Sequence, residues 1–271
     1  MFALPEPPPE TLELRGLSYR RVKVFKHDFF AATCLYERAN TTADAKLPKI
    51  VVKFCRTRPF WGIPGEWLGK LLIDHEQAIY RALDGVTGVP RWVARLSNSA
   101  CAIEYREGRP LDHEPPPTTG FFEKLRALLD AVHARGVGHC DTNKRSNILI
   151  TPDDEPVLLD YQLAVRTRDD LPWPLRAIAR HIVRYIAQRD IYHLYKHKRR
   201  MKPDELTDDE RKLSYRRSGL HWLHRKLTKP WRAVRRDFLH QQHKKGQLVS
   251  PTHKMEDHHQ PEKATWRDRK P

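Results

Sequence analysis

Residues Val137 to Val165 read VGHCDTNKRSNILITPDDEPVLLDYQLAV, and the order of groups in that stretch decides the fold. His139-x-Asp141 comes first. Asn147 follows six residues after Asp141, then a short apolar run. A polar turn leads to a second apolar run, which ends in Asp160-Tyr161-Gln162. Just upstream, Phe122, Leu125, Leu128, Leu129 and Val132 recur at helical spacing, with Glu123, Lys124, Arg126 and Asp130 on the other side. That spacing predicts an amphipathic helix over 121–135, stopped by Gly136 and Gly138. Ile148–Ile150 and Val157–Leu159 flank Thr151-Pro152-Asp153-Asp154-Glu155, a hairpin signal with turn chemistry at its centre. A hairpin carries the end of its second strand back to the start of its first, so Asp160 is expected beside Asn147.

These are the groups phosphoryl transfer needs. Asp141 is placed to accept a proton from a hydroxyl. The Asn147 amide oxygen and the Asp160 carboxylate suit Mg²⁺, a hard cation that prefers oxygen and keeps room for phosphate and water. Each residue alone has a plainer reading. Asp141 could be a turn residue, Asn147 the start of a strand, Asp160 the end of one, and His139 a packing histidine. The ordered helix, loop, hairpin and terminal acid favour the site.

The stretch resembles the catalytic and metal-binding loops of the protein-kinase-like superfamily. The likeness continues upstream. Lys49–Phe54 is a strand carrying Lys53 near its end, similar to the Val-Ala-Ile-Lys strand of kinases. The resemblance implies that Lys53 touches the α- and β-phosphates of ATP. A helix predicted over Trp67–Leu83 carries Glu76, assigned as the ion-pair partner of Lys53. Glu66 competes for that role, but an acid at a helix start is favoured by the dipole alone. Val89–Val93 and Ala100–Tyr105 read as two further strands, and the resemblance makes Glu104 to Arg106 the hinge that meets the adenine edge. It implies an α+β, bilobal fold for residues 15–200: a small antiparallel β lobe over 15–105 and a compact, mainly helical lobe over 106–200. It further implies ATP and Mg²⁺ as cofactors, Asp141 as the catalytic carboxylate, His139 as a support for its loop, and Lys144 or Arg145 beside the transferring group or an anionic acceptor.

Several features depart from the common kinase pattern. The hairpin Val22–Glu37, where kinases carry a glycine-rich loop, has no glycine, so Lys26 and His27 are expected to supply side-chain charge instead. The Asp141 to Asn147 spacing is one longer than usual, Asp160-Tyr161-Gln162 lacks the glycine of Asp-Phe-Gly, and no Ala-Pro-Glu element follows. The basic Asp-x-x-x-Arg-x-Asn loop and the Gln after the metal-site aromatic resemble the bacterial lipopolysaccharide-kinase group, relatives of the Kdo and heptose kinases. The implied acceptor is a hydroxyl of a lipopolysaccharide core sugar, of a protein serine or threonine, or of a small molecule. Two other classes stay open: a kinase-fold pseudoenzyme that binds a partner, and a basic nucleic-acid-binding protein.

With 271 residues and 39% hydrophobic content, the chain can bury one sizeable core. Residues 1–14, with Pro5, Pro7, Pro8 and Pro9, are expected to be disordered. There is no signal-peptide pattern and no apolar run of about 18 residues. Cys34, Cys55, Cys101 and Cys140 are scattered without metal or disulfide spacing and read as reduced thiols, which points to the cytoplasm. Charge is uneven: residues 1–165 hold 22 Lys+Arg against 21 Asp+Glu, and residues 166–271 hold 28 against 13. A basic helical extension is expected over 201–240, with Trp222 and Trp231 among the bases, and a disordered polar tail over 241–271. Such an extension suits peripheral contact with an anionic membrane, at the inner face of the cytoplasmic membrane. Nucleic acid is the less favoured partner, and a solvated basic flank is the plain alternative.

Overall fold

The computed structural model describes residues 3–40, 47–59 and 65–215. The first lobe is one curled antiparallel sheet. Its strands are β1 (Thr11–Leu14), β2 (Leu17–His27), β3 (Ala31–Arg38), β4 (Lys49–Cys55), β5 (Trp92–Ser97) and β6 (Ala100–Glu104), in the order β1-β2-β3-β4-β6-β5. Side chains alternate across a strand, and the inward set (Tyr19, Cys34, Tyr36, Ile50, Val52, Val93 and Ala102) forms the core of this lobe. Helix α1 (Gly65–Ala82) crosses the sheet between β4 and β5.

The second lobe is mainly helical. Helix α2 (Phe121–Ala134) buries Phe121, Phe122, Leu125, Leu128, Leu129 and Val132. They meet Ile148, Ile150 and Leu158 from the hairpin β9 (Ile148–Ile150) and β10 (Pro156–Leu158). The long α3 (Trp173–Met201) adds Leu194 and Tyr195 to the same cluster. Three two-residue strands complete the lobe. β7 (Arg109–Pro110) lies beside β9, and β8 (Val137–Gly138) pairs with β11 (Val165–Arg166). Helix α4 (Asp208–Tyr215) is held by the buried Lys198 ammonium, which bridges Glu123 at 2.5 Å and Glu210 at 2.9 Å. Ile79 and Tyr80 of α1, with Leu83 just after it, belong to the core of the helical lobe, while Ile73 packs with Cys55 and Cys101 of the sheet. One helix therefore stitches the two cores together.

The structure corrects two expectations. Residues 3–14 are not a disordered lead. Prolines lack a donor, but their carbonyls still accept: Arg21 donates to the Pro8 carbonyl and Tyr36 Oη to that of Pro9 at 2.6 Å. β1 then pairs with β2, and Ala3 is fully buried. The strand read at Val89–Val93 begins instead at Trp92, because Val89 closes a turn by donating to the Val86 carbonyl at 3.2 Å. Of the expected extension over 201–240, residues 216–240 lie outside the described residues, as does the tail over 241–271.

The link from α1 to β5 turns on glycines with positive φ. Gly85 (φ 78°) has open space where a side chain would go. Gly88 (φ 87°) does not: a Cβ there would meet Leu128 and the Pro156 carbonyl at 2.8 Å. Its own carbonyl also accepts from the Leu158 N–H at 2.9 Å. Gly85→Ala is expected to cost about 1 kcal/mol of left-handed strain. Gly88→Ala adds overpacking, for a total of about 2–4 kcal/mol. Chemical denaturation of the two variants checks this, and equal losses would show that the crowding at Gly88 is relieved freely.

Candidate active site

The segment after β8 is anchored before it is functional. His139 is fully buried. Its Nε2 lies 2.9 Å from the Leu159 carbonyl, an acceptor only, which places the ring proton on Nε2. Nδ1 is then left to accept the Asp141 N–H at 3.3 Å. Cys140 between them takes φ 70°. From α3, the buried Asp190 carboxylate accepts the His139 N–H at 2.8 Å, the Thr142 hydroxyl at 3.0 Å and an N–H from His133 at 3.1 Å. His197 of the same helix donates to the Thr142 carbonyl at 3.0 Å, and burial pushes its pKa down to about 3, so the ring is neutral. Lys196 donates to Asn143 at 2.9 Å.

Asp141 faces the cleft from this loop. Lys144 sits 2.7 Å from its Oδ2, and the Asn147 amide donates to its carbonyl at 3.2 Å and to Oδ2 at 3.1 Å. With its nitrogen so used, Asn147 has its Oδ1 to offer a cation. The hairpin then closes the circuit. Leu158 pairs with Ile148, and the Leu159 N–H donates to the Asn147 carbonyl at 2.8 Å. Asp160 returns beside Asn147 in a left-handed conformation, φ 63° and ψ 75°, one that Asp tolerates better than most residues.

From the sheet, β4 holds Lys53 opposite Thr33 and Cys101. Its ammonium is 2.8 Å from Glu76 of α1 and 3.4 Å from Asp160. Glu66 stays in the first turn of α1. Burial works against the Lys53 charge, yet Glu76 and Asp160 outweigh it and hold its pKa above the ordinary range. Burial likewise works against ionised Asp160, but Lys53, Lys26 and Lys144 together keep its carboxyl well below the usual range.

Tyr161 is fully buried. Its ring packs 4.8 Å from that of His139 and 5.4 Å from that of Tyr80, which in turn lies 5.8 Å from Trp92. A continuous aromatic stack thus joins the loop of Asp141 to α1 and the sheet.

The turn between β2 and β3 solves its geometry without glycine. The Asp28 carboxylate accepts the N–H groups of Phe30 at 2.8 Å and Ala31 at 3.0 Å. Arg56 donates to the Phe29 carbonyl at 2.8 Å and stacks 4.0 Å from that ring. The Ala3 N–H donates to the Asp28 carbonyl at 2.8 Å. Lys26 is tied to Asp28 at 2.7 Å. Two backbone donors that could face a phosphate are therefore already used.

At the hinge, the Glu104 N–H donates to the Arg91 carbonyl at 2.9 Å, so this amide is spent within the sheet rather than offered to an adenine edge. The Glu104 carboxylate bridges Arg91 at 3.3 Å and Arg106 at 3.5 Å. The hinge expectation narrows to the backbone of Tyr105 and Arg106. Asp190 was not legible as a site residue. Its one signal is that it is the single acid within Ile182–Leu194, a run otherwise basic, apolar or neutral.

No family model matches the chain. The serine/threonine-protein kinase PknH of Mycobacterium tuberculosis, and that of Mycobacterium bovis, is 43% identical over 56 residues, 21% of this chain. The match spans only 9% of the length of those curated relatives. The Rio2 kinase of Chaetomium thermophilum superposes with a TM-score of 0.45 and 18% identity over 64% of this chain and 54% of its own. In this chain itself, a curled antiparallel sheet with a strand lysine paired to a crossing helix stands over a helical lobe with a His-x-Asp loop and an acid-terminated hairpin. The architecture is a bilobal α+β, kinase-like fold.

Proposed function

We propose that this chain is an ATP- and Mg²⁺-dependent phosphotransferase acting on an acceptor hydroxyl. The observation that carries the proposal is the convergence of Lys53 with Glu76 and Asp160, at 2.8 and 3.4 Å, and of Asn147 with Asp141 at 3.1 Å, the hairpin returning Asp160 beside Asn147. The residues fit a hard divalent cation. Asp160 is held ionised with its side chain 34% exposed, and Asn147 has an amide oxygen to give. Among the described residues there is no cluster of three or more His, Cys, Asp or Glu able to hold a metal alone. Two protein oxygens with phosphate and water completing the shell is how Mg²⁺ is commonly held.

When bound, Mg·ATP supplies the γ-phosphoryl and part of its charge neutralisation. The chain supplies the rest. Lys53, oriented by Glu76, holds a positive charge against the phosphates. Asp141 orients the acceptor hydroxyl and takes its proton. Lys144, 2.7 Å from Asp141, sets a cation where charge builds on the transferring group. Within the superfamily, the lipopolysaccharide-kinase-like branch is favoured by the Asp141-x-x-x-Arg145-x-Asn147 loop and by Gln162, with a core sugar or a protein serine or threonine as acceptor. The short PknH match supports phosphoryl transfer in general.

A second reading, a kinase-fold pseudoenzyme, is favoured by one observation. Asp28 places a carboxylate on the N–H groups of Phe30 and Ala31, where a glycine-rich turn would offer them to phosphate.

Asp141→Asn is expected to leave ATP affinity within about twofold and to lower turnover by about a hundred- to ten-thousandfold, since only proton transfer and acceptor orientation are lost. Asp160→Asn, which suits the left-handed backbone, is expected to abolish the Mg²⁺ dependence of nucleotide binding. Calorimetry and turnover measurements separate the two. If the unmodified protein binds no nucleotide at any Mg²⁺ concentration, the pseudoenzyme reading replaces this one.

Lys53→Met and Glu76→Gln each break the same unit, so their effects on nucleotide affinity should not add. The double-mutant cycle is expected to give a coupling of about 1 kcal/mol or more. Additive losses would mean that the pair does not act together on the nucleotide.

A further inference from the structure

The outer half of α3 is built unlike the inner half. From Val183 onward the helix is held by the helical lobe. Before Val183 it carries large apolar side chains into solvent: Trp173 is 74% exposed, Leu175 51%, Ile178 56% and Ile182 46%. Leu175, Ile178 and Ile182 stand at i, i+3 and i+7, one stripe of the helix. Leu163, 61% exposed, is a further apolar side chain in solvent, on the turn just after Asp160. Apolar side chains scattered singly on a surface need no explanation; a stripe of them does. Arg176, Arg180 and Arg184 recur at i, i+4 and i+8 on the other side, and Arg166 and Arg168 lie just before the helix. Over 163–184 there are five Arg against two Asp.

We propose that this face is a docking surface for an anionic lipid bilayer. An apolar stripe backed by arginines, with a tryptophan at one end, is the pattern of a helix lying in the plane of a membrane interface. Charge selects the occupant. The 56 residues after Tyr215 hold 15 Lys+Arg against 5 Asp+Glu, a charge of the same sign as these arginines, as a second copy of the face would also carry. An anionic surface attracts both. No described helix is long and apolar enough to cross a membrane, which fits contact in the plane of the interface.

The face adjoins the candidate active site. β11 pairs with β8, Ile186 packs on Gly138, and His139 and Asp141 follow directly. Docking would bring lipid headgroups to the segment that leads into the catalytic loop. That consequence, an acceptor presented at a membrane surface, rests on the proposed function; the docking itself does not.

The test is sedimentation of the full chain with vesicles, without nucleotide. The unmodified protein is expected to sediment with phosphatidylglycerol–phosphatidylcholine vesicles and not with phosphatidylcholine alone. Leu175→Gln/Ile178→Gln/Ile182→Gln keeps every basic residue and is expected to weaken binding at least about tenfold, because apolar burial is lost. Trp173→Ala, at an exposed site, is expected to act in the same direction by about threefold, and serves if the triple variant does not fold. Three outcomes would overturn the proposal. One is failure to bind anionic vesicles at low salt. Another is equal binding by the variants, which would assign any membrane contact to other bases. The third is a lipid-free dimer that dissociates in the triple variant, which would make a second copy the occupant. None of these outcomes depends on phosphoryl transfer, so a failed docking test leaves the catalytic reading standing.

Discussion

A lysine ammonium inside a protein has to be answered by carboxylates, and much of this structure follows from answering Lys53. The side chain is 10% exposed, and breaking a buried pair by removing one partner costs about 3–5 kcal/mol. Its position on β4 is set by strand register. Glu76 reaches it only if α1 lies against the sheet. Asp160 reaches it only if the hairpin folds back over Asn147. The closeness of the lobes, the seat of α1 and the return of the hairpin are thus three ways of meeting one electrostatic demand. The aromatic stack of His139, Tyr161, Tyr80 and Trp92 runs alongside and fills the same junction. The Tyr80 and Tyr161 hydroxyls have no hydrogen-bond partner among the described residues, so here tight ring packing is kept at the expense of polar satisfaction.

What could be read from the chain alone was whatever obeys a short period. The helix expected over 121–135 is α2 at Phe121–Ala134, and the hairpin expected around Thr151–Glu155 is β9 and β10. Glu76 could be chosen over Glu66 because an acid at a helix start is favoured by the dipole alone. What escaped is held by distant partners. Asp190 lies 51 residues from His139 along the chain, and nothing local to it states that the loop of Asp141 hangs from it. The proline-rich lead looked structureless because proline removes donors, and its ordering depends on donors supplied by Arg21 and Tyr36. The spent amide of Glu104 is visible only once β5 and its preceding turn are aligned with β6.

The turn between β2 and β3 is built without glycine. Glycine lets a backbone bend and leaves its amides bare. Asp28 bends the same turn by capping those amides, and Arg56 and Ala3 fasten it to the chain after β4. The result is a turn with a carboxylate and Lys26 in place of open donors. The cations that bear on the Asp160 carboxylate are Lys53, Lys26 and Lys144.

Helix α3 also acts as a mechanical bar. Neither glycine nor proline occurs between Ile182 and Met201, so no hinge interrupts the helix there. Ile182, on the bare outer half, is eight residues from Asp190, about 12 Å at the rise of an α-helix. Between the two lies the contact of Ile186 with Gly138, and beyond it the Asp190 carboxylate holds His139, Thr142 and His133. The bare outer half and the anchor of the Asp141 loop are thus two stretches of one unbroken helix.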